Sequence, residues 1–154
     1  MFVAGSGLVT LRREDAVQQN ISAGLDTIEK WKAASLKAEI DYLKDVATHI
    51  RASNNKNRNP KWMLVAATKV DLLFDDLQEV ERYYSPHGDS DFAKILNDLV
   101  AALGTDNFEW DAVPVCSALD AFSWGSETLH SKLGEDARDH YLSKMVSRLG
   151  DMCR

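Results

Sequence analysis

The chain has 154 residues, 45% of them hydrophobic and 27% charged, which is enough for one domain with a buried core. Its formal net charge is −6, and lysines and arginines form no block, which argues against general binding to nucleic acid or to an anionic membrane. The two cysteines, Cys116 and Cys153, form no Cys-x-x-Cys motif, so a disulfide framework or a zinc site is not expected.

The N-terminal segment predicts a strand that begins at the chain terminus itself. Residues 1–5 have no basic region and too short an apolar run for a signal peptide, and no segment approaches the ~20 apolar residues of a membrane span. We therefore expect a cytoplasmic protein. Phe2-Val3-Ala4-Gly5 is typical of the end of a strand, and a strand that begins at the terminus itself indicates a fragment whose N-terminal half is missing.

Two helices are predicted between residues 11 and 52, which contain no proline. The first spans Arg12 to Lys32, although Gly24 weakens its middle. The second follows Ser35 as a plausible N-cap. Its apolar residues recur at three- and four-residue spacing, as in a helix that packs one face on a core: Leu36, Ile40, Leu43, Ala47 and Ile50. A polar loop is predicted over residues 54–60.

A buried strand is predicted over residues 62–67, where an apolar run shows no alternation. Such a run suits a strand of a parallel sheet that is covered on both faces. It ends abruptly in Thr68-Lys69-Val70-Asp71. Ligands of open α/β sheets bind at the carboxyl ends of the strands, so these polar residues stand where a site is expected.

The second half of the chain predicts three helices and one more strand. A short helix is expected over Asp75–Tyr84, and a second begins after the N-cap Ser90 and ends at Gly104. A strand is expected over residues 111–116, and Pro114 within it favours a sheet edge because proline removes a ladder donor. Residues 121–125 predict a loop, and residues 136–152 predict a terminal helix.

The stretch after the central strand resembles the base-recognition motif of P-loop GTPases, and the chemistry of guanine explains why that motif uses these residue types. Guanine presents a ring N–H and an exocyclic amine side by side, and an ionised carboxylate such as that of Asp71 accepts from both. Adenine offers no such pair of donors there. Lys69 has a long aliphatic stem that can lie along a base while its ammonium stays in water.

Thr68-Lys69-Val70-Asp71 resembles the base-recognition motif of P-loop GTPases, which is usually Asn-Lys-x-Asp after a buried strand. Downstream, Cys116-Ser117-Ala118 resembles the end of that family's last strand followed by Ser-Ala, whose backbone N–H groups contact the guanine oxygen. Thr68 has a hydroxyl where the family has an amide. The resemblance implies guanine binding by Thr68, Lys69, Asp71, Ser117 and Ala118, with the two loops side by side.

The resemblance covers residues 1–154 as the back half of a GTPase domain and implies an α/β fold with a three-stranded parallel sheet flanked by helices. The phosphate loop, Gly-x-x-x-x-Gly-Lys-Ser/Thr, occurs nowhere in the sequence, and neither does the Asp-x-x-Gly magnesium motif. We therefore expect a guanine-recognising half that hydrolyses no GTP by itself, binds GTP or GDP weakly and holds no magnesium.

Two other hypotheses fit the same sequence. In the second hypothesis, the chain is a pseudo-GTPase or protein-interaction domain that binds no nucleotide and uses an exposed sheet edge for a partner. In the third hypothesis it is part of a generic doubly wound enzyme with a small anionic ligand. The strand near Phe2 is expected to have an unpaired outer edge, which invites pairing with another chain.

Overall fold

A three-stranded parallel sheet forms the centre of the protein, as a computed structural model shows for residues 1–54, 61–73, 75 and 77–153. Its strands are β1 (Phe2–Ala4), β2 (Trp62–Ala67) and β3 (Glu109–Pro114), in that order across the sheet. The helices are α1 (Glu14–Ser22), α2 (Ile28–Asn54), α3 (Leu77–Tyr84), α4 (Asp91–Leu103) and α5 (Glu135–Met152). The α/β class and the parallel sheet predicted from the sequence are confirmed.

The central strand β2 has the bounds that its apolar run predicts. It pairs with both neighbours, Val65 opposite Phe2 of β1 and Ala112 of β3. Met63, Val65 and Ala67 face one apolar cluster, whereas Leu64 and Ala66 face another. Burial on both faces explains why the strand shows no polar alternation.

The last strand of this sheet starts and ends two residues earlier than predicted, at Glu109–Pro114 instead of 111–116. Its hydrogen bonding continues beyond Pro114, because the Val115 N–H donates to the Ala67 carbonyl at 2.8 Å. Pro114 is therefore the last residue of β3, and the ladder to β2 runs one residue further. The prediction that Pro114 marks a sheet edge is confirmed.

The two predicted N-terminal helices have different bounds in the structure. Helix α1 ends at Ser22, and Gly24 adopts φ +94°, which a helix does not accommodate. Helix α2 begins at Ile28, where the Thr27 hydroxyl accepts from the Lys30 N–H at 3.3 Å. Ser35, predicted as an N-cap, lies inside α2 and is 7% exposed. Of the predicted polar loop, Asn54 belongs to α2 and residues 55–60 lie outside the described residues.

The two faces of the sheet pack on different helices. The larger cluster joins the sheet to α2, α3 and α4, with Leu43, Val80 and Phe92 fully or nearly buried. The other face packs against α5, from which Leu142, Met145, Leu149 and Met152 contribute. Helix α4 matches its prediction, since the Ser90 hydroxyl accepts from the Ala93 N–H at 3.0 Å and Gly104 ends the helix at φ +88°.

The predicted loop at 121–125 is instead a β-hairpin, formed by β4 (Phe122–Trp124) and β5 (Glu127–Leu129). Trp124 stacks on Trp31 of α2, with ring centroids 4.0 Å apart and planes 12° apart. The Glu127 carboxylate accepts from the Ile28 N–H at 3.0 Å, so the hairpin also caps α2. Contacts 99 residues apart in the chain therefore fix a strand pair that local sequence does not indicate.

Strand β1 is an edge of the sheet among the described residues, as predicted, and its outward-facing Val3 side chain is 59% exposed. Across the described ranges, none of the helices has the length and apolar character needed to cross a membrane.

Candidate functional site

The carboxyl ends of β2 and β3 meet at one edge of the sheet, because the two strands are parallel neighbours. The segments that follow them enclose a cleft of about 260 Å³. Lys69, Asp71, Ser117 and Ala118 all line it, so the structure brings together four of the five residues that the sequence predicts. The other lining residues are Thr10, Leu72, Asp120, Ala121 and Phe122.

Asp71 is the most unusual residue of the cleft. Its side chain is 2% exposed, and within the described part of the chain its Oδ2 atom has no hydrogen-bond partner. Its backbone is held in place, since the Asp71 carbonyl accepts from the Lys132 N–H at 3.1 Å. A buried carboxylate oxygen without a donor is costly, and native structures contain few of them. A donor from a ligand would remove that cost.

Cys116 lies beside Asp71, and hydrogen bonding to the Asp71 side chain contributes to the raised pKa of its thiol, although Oδ2 itself has no partner in the described part of the chain. Its thiol donates to the Ala118 carbonyl at 3.4 Å. Burial, followed by the negative charge of Asp71, raises the pKa of Cys116 to about 11. The thiol is therefore protonated at neutral pH, and Cys116 is a buried free cysteine.

Lys69 forms one wall of the cleft in a constrained conformation. Its backbone has φ +63°, and its ammonium donates to the Thr10 hydroxyl at 2.6 Å. The same ammonium lies 4.6 Å from the centre of the Phe122 ring, a cation–π contact. Burial lowers the pKa of Lys69 below its ordinary value, and the Asp71 charge partly offsets this. The aliphatic stem is thereby held against the cleft.

Thr68 is turned towards β1 and not towards a ligand. Its N–H and its hydroxyl both donate to the Ala4 carbonyl, at 2.8 and 2.9 Å. Its own carbonyl accepts from the Ser6 hydroxyl at 2.9 Å. The side chain thus ties the loop to the end of β1, and base contact by Thr68 stays a prediction.

Ser117 and Ala118 follow β3 with exposed side chains. Within the ranges that the structure covers, their backbone N–H groups donate to no protein acceptor. Because Ser117, Ala118 and Asp71 all line the cleft, it has backbone N–H donors as well as a carboxylate acceptor.

Hydrogen bonds that involve helices α2 and α3 fix the segment after β1, which supplies Thr10. The Gly5 N–H donates to Glu39 Oε2 at 3.1 Å, and the Tyr84 hydroxyl donates to Glu39 Oε1 at 2.7 Å. Burial raises the pKa of Glu39, although both hydrogen bonds oppose that shift. Further along, the Trp31 indole donates to the Val9 carbonyl at 2.9 Å. These bonds hold Thr10 opposite Lys69.

Sequence reasoning missed Thr10 and Asp120 as lining residues. Phe122 lies in the predicted 121–125 loop; it is packed, at 5% exposure, and it also lines the cleft and contacts the Lys69 ammonium. Its position four residues after Ala118 was the one available signal. Thr10 had none, because its role depends on the path of the segment after β1.

The cleft does not fit a metal ion. Over the described residues, no group of three or more His, Cys, Asp or Glu side chains could hold one. Hard cations such as magnesium require several oxygen ligands, which this lining does not supply.

Comparison of the chain with protein-family models, with curated proteins and with solved structures found no significant match. The resemblance to P-loop GTPases therefore rests on the two motifs and their placement.

Proposed function

We propose that this chain recognises guanine in the cleft after β2 and β3, as the base-binding half of a P-loop GTPase-like domain. The observation that carries the proposal is the Asp71 carboxylate: Asp71 lines the cleft, and its buried Oδ2 atom has no partner in the described part of the chain. Its natural complement is a ligand with two adjacent donors, and guanine presents its ring N–H and exocyclic amine in that way.

The backbone N–H groups of Ser117 and Ala118 would contact the oxygen of guanine. The free N–H groups of Ser117 and Ala118 are donors, and an acceptor beside the ligand's donors would use them. A guanidinium has donors and no acceptor, so it would leave these N–H groups unmet. Guanine has donors and an acceptor on one edge, which favours it over an arginine side chain.

The dimensions support a base and not a whole nucleotide. Pockets for drug-sized ligands measure about 300–1,000 Å³, and this cleft has about 260 Å³. The 154 residues contain no phosphate loop, so phosphates and magnesium would require elements outside this sequence. Two or three hydrogen bonds at ~1 kcal/mol each, or somewhat more when charged, offset little of the cost of immobilising a ligand. We expect weak binding and no GTP hydrolysis by this chain alone.

Calorimetry on the purified chain with guanosine, adenosine and xanthosine tests the proposal. Guanosine should bind more tightly than adenosine, and Asp71→Asn should weaken guanosine binding while relatively favouring xanthosine. The reason is that the amide replaces an acceptor with a donor, which meets the xanthine carbonyl. Asp106→Asn is the control, because Asp106 is exposed and precedes β3, at the opposite end of the sheet. Equal guanosine affinity in Asp71→Asn and the parent would overturn the assignment.

A second candidate, an interaction domain that binds no nucleotide, is favoured by the edge of β1. Since the Thr68 N–H donates to the Ala4 carbonyl, strand alternation directs the backbone groups of Val3 outwards. Beside them lies a groove of about 470 Å³ lined by Val3, Val9 and Tyr42, all exposed. The partner we propose is a second copy that pairs with β1.

Sedimentation over a range of concentrations tests this candidate. Self-association that Val3→Lys abolishes would support it, because a lysine on an edge strand opposes pairing. A concentration-independent monomer would refute it.

A further inference from the structure

We propose that the cleft takes guanine as the free base or nucleoside and discriminates against its phosphorylated forms. This inference rests on the proposed base recognition and goes beyond it, because it names the ligand class. It follows from the charge of the described lining, which carries two carboxylates, Asp71 and Asp120, and one cation, Lys69.

The cations nearest the cleft have partners within the protein. Lys69 is the one cation among the described lining residues, and its ammonium bonds Thr10 and contacts the Phe122 ring. Lys132, whose N–H meets the Asp71 carbonyl, places its ammonium on Asp75. Lys69 keeps its positive charge in these contacts, so the described lining carries one cation against the two carboxylates of Asp71 and Asp120, a net charge of −1.

The carboxylates of Asp71 and Asp120 both line the cleft. Asp71 is buried and Asp120 is exposed. Two like unit charges about 5–8 Å apart in water weaken association about two- to fourfold, and the effect is larger where water is excluded. A diphosphate brings several charges, so we expect GDP to bind at least about tenfold more weakly than guanosine at low salt.

A neutral base has the opposite effect on the same groups. It brings donors to Asp71 Oδ2 and an acceptor to the Ser117 and Ala118 N–H groups, and it introduces no charge that must be compensated. The Asp71 carboxylate and the two N–H groups are then used, and neither requires a phosphate. The ligand class that fits is therefore a neutral guanine compound.

Calorimetry with guanosine, GMP, GDP and GTP, without magnesium, at about 20 mM and about 500 mM salt tests the inference. At low salt the affinity should fall along that series. At high salt the gap should narrow, because screening weakens repulsion between partly exposed charges. Asp120→Asn should raise the ratio of GDP to guanosine affinity about two- to fourfold, whereas the control Asp106→Asn should leave the ratio unchanged.

The outcomes separate the two proposals. GDP binding as tightly as guanosine, or more tightly, would overturn the preference for a neutral ligand and leave base recognition intact. Repeating that measurement with Arg12→Ala would show whether the segment after Thr10 supplies the phosphate contact. Failure of all four guanine compounds to bind would overturn base recognition, and the preference with it.

Discussion

Replacing Asp71 with asparagine should stabilise the ligand-free protein, although Asp71 is buried and replacement of buried residues usually destabilises. The carboxylate is 2% exposed and its Oδ2 atom has no partner in the described chain. A buried polar group left unsatisfied costs about 1–3 kcal/mol, and more when it is charged. A neutral amide of nearly the same shape keeps the packing and removes the charge. We expect a gain of about 1–2 kcal/mol in the free energy of unfolding.

Thermal unfolding followed by circular dichroism at pH 7 measures this gain. For a chain of this size, 1 kcal/mol corresponds to about 2–4 °C, so Asp71→Asn should raise Tm by about 2–8 °C. Asp106→Asn, an exposed carboxylate away from the cleft, should stay within about 1 °C of the parent.

Adding guanosine provides the matching measurement. At ten times its Kd the ligand should stabilise the parent by about 1.4 kcal/mol and leave Asp71→Asn nearly unchanged. A Tm for Asp71→Asn below that of the parent, in the absence of ligand, would refute the reasoning. It would show that Asp71 is a satisfied structural acceptor and does not await a ligand.

Three further predictions concern the elements that hold the cleft. Burial raises the pKa of Glu39, so this side chain keeps its proton to a higher pH in the folded protein than in the unfolded chain. The stability that Glu39 contributes is therefore present below pH ~4.5 and is lost as the pH rises through the pKa of the folded state. Chemical denaturation over pH 4–8 should therefore show a weaker decline in Glu39→Gln than in the parent. Gly7→Ala should cost more than Gly24→Ala in urea melts: both have positive φ, but a Cβ on Gly7 would lie 2.9 Å from the Lys32 carbonyl, whereas Gly24 faces open space. Trp124→Ala should cost about 3–5 kcal/mol in the same melts because it removes the stack on Trp31, and a loss below 1 kcal/mol would contradict that role.

The sequence predicts those parts of the fold that local patterns determine. Strand β2 and helix α4 have the bounds or caps expected, because an apolar run and a capping serine are local signals. The start of α2 was placed wrongly at Ser35, since burial of that hydroxyl depends on packing against the rest of the protein. The hairpin at Phe122–Leu129 was missed because Trp31 and Glu127, far away in sequence, stabilise it.

The candidate site also has features that the sequence predicts and features that it does not. Asp71 and Ser117 could be placed together from sequence, because strands that are parallel neighbours end at the same edge of a sheet. Burial of Asp71 without a partner could not be predicted, since it depends on the Lys132 segment and the hairpin closing around it. The orientation of Thr68 could not be predicted either, because its hydroxyl donates to the Ala4 carbonyl of β1, a residue far away in sequence.

That orientation of Thr68 bears on how well the cleft is prepared for a ligand. Two donors from Thr68 meet the Ala4 carbonyl, and the Ser6 hydroxyl returns a bond to the Thr68 carbonyl. The loop is thus bonded to β1 immediately before Lys69, whose positive φ turns the chain into the cleft. Ordering a mobile loop on binding would consume part of a small affinity, whereas a loop that is already bonded adds no such cost. Because the Thr68 hydroxyl is bonded to β1, the proposed selectivity for guanine rests chiefly on Asp71 and on the N–H groups after β3.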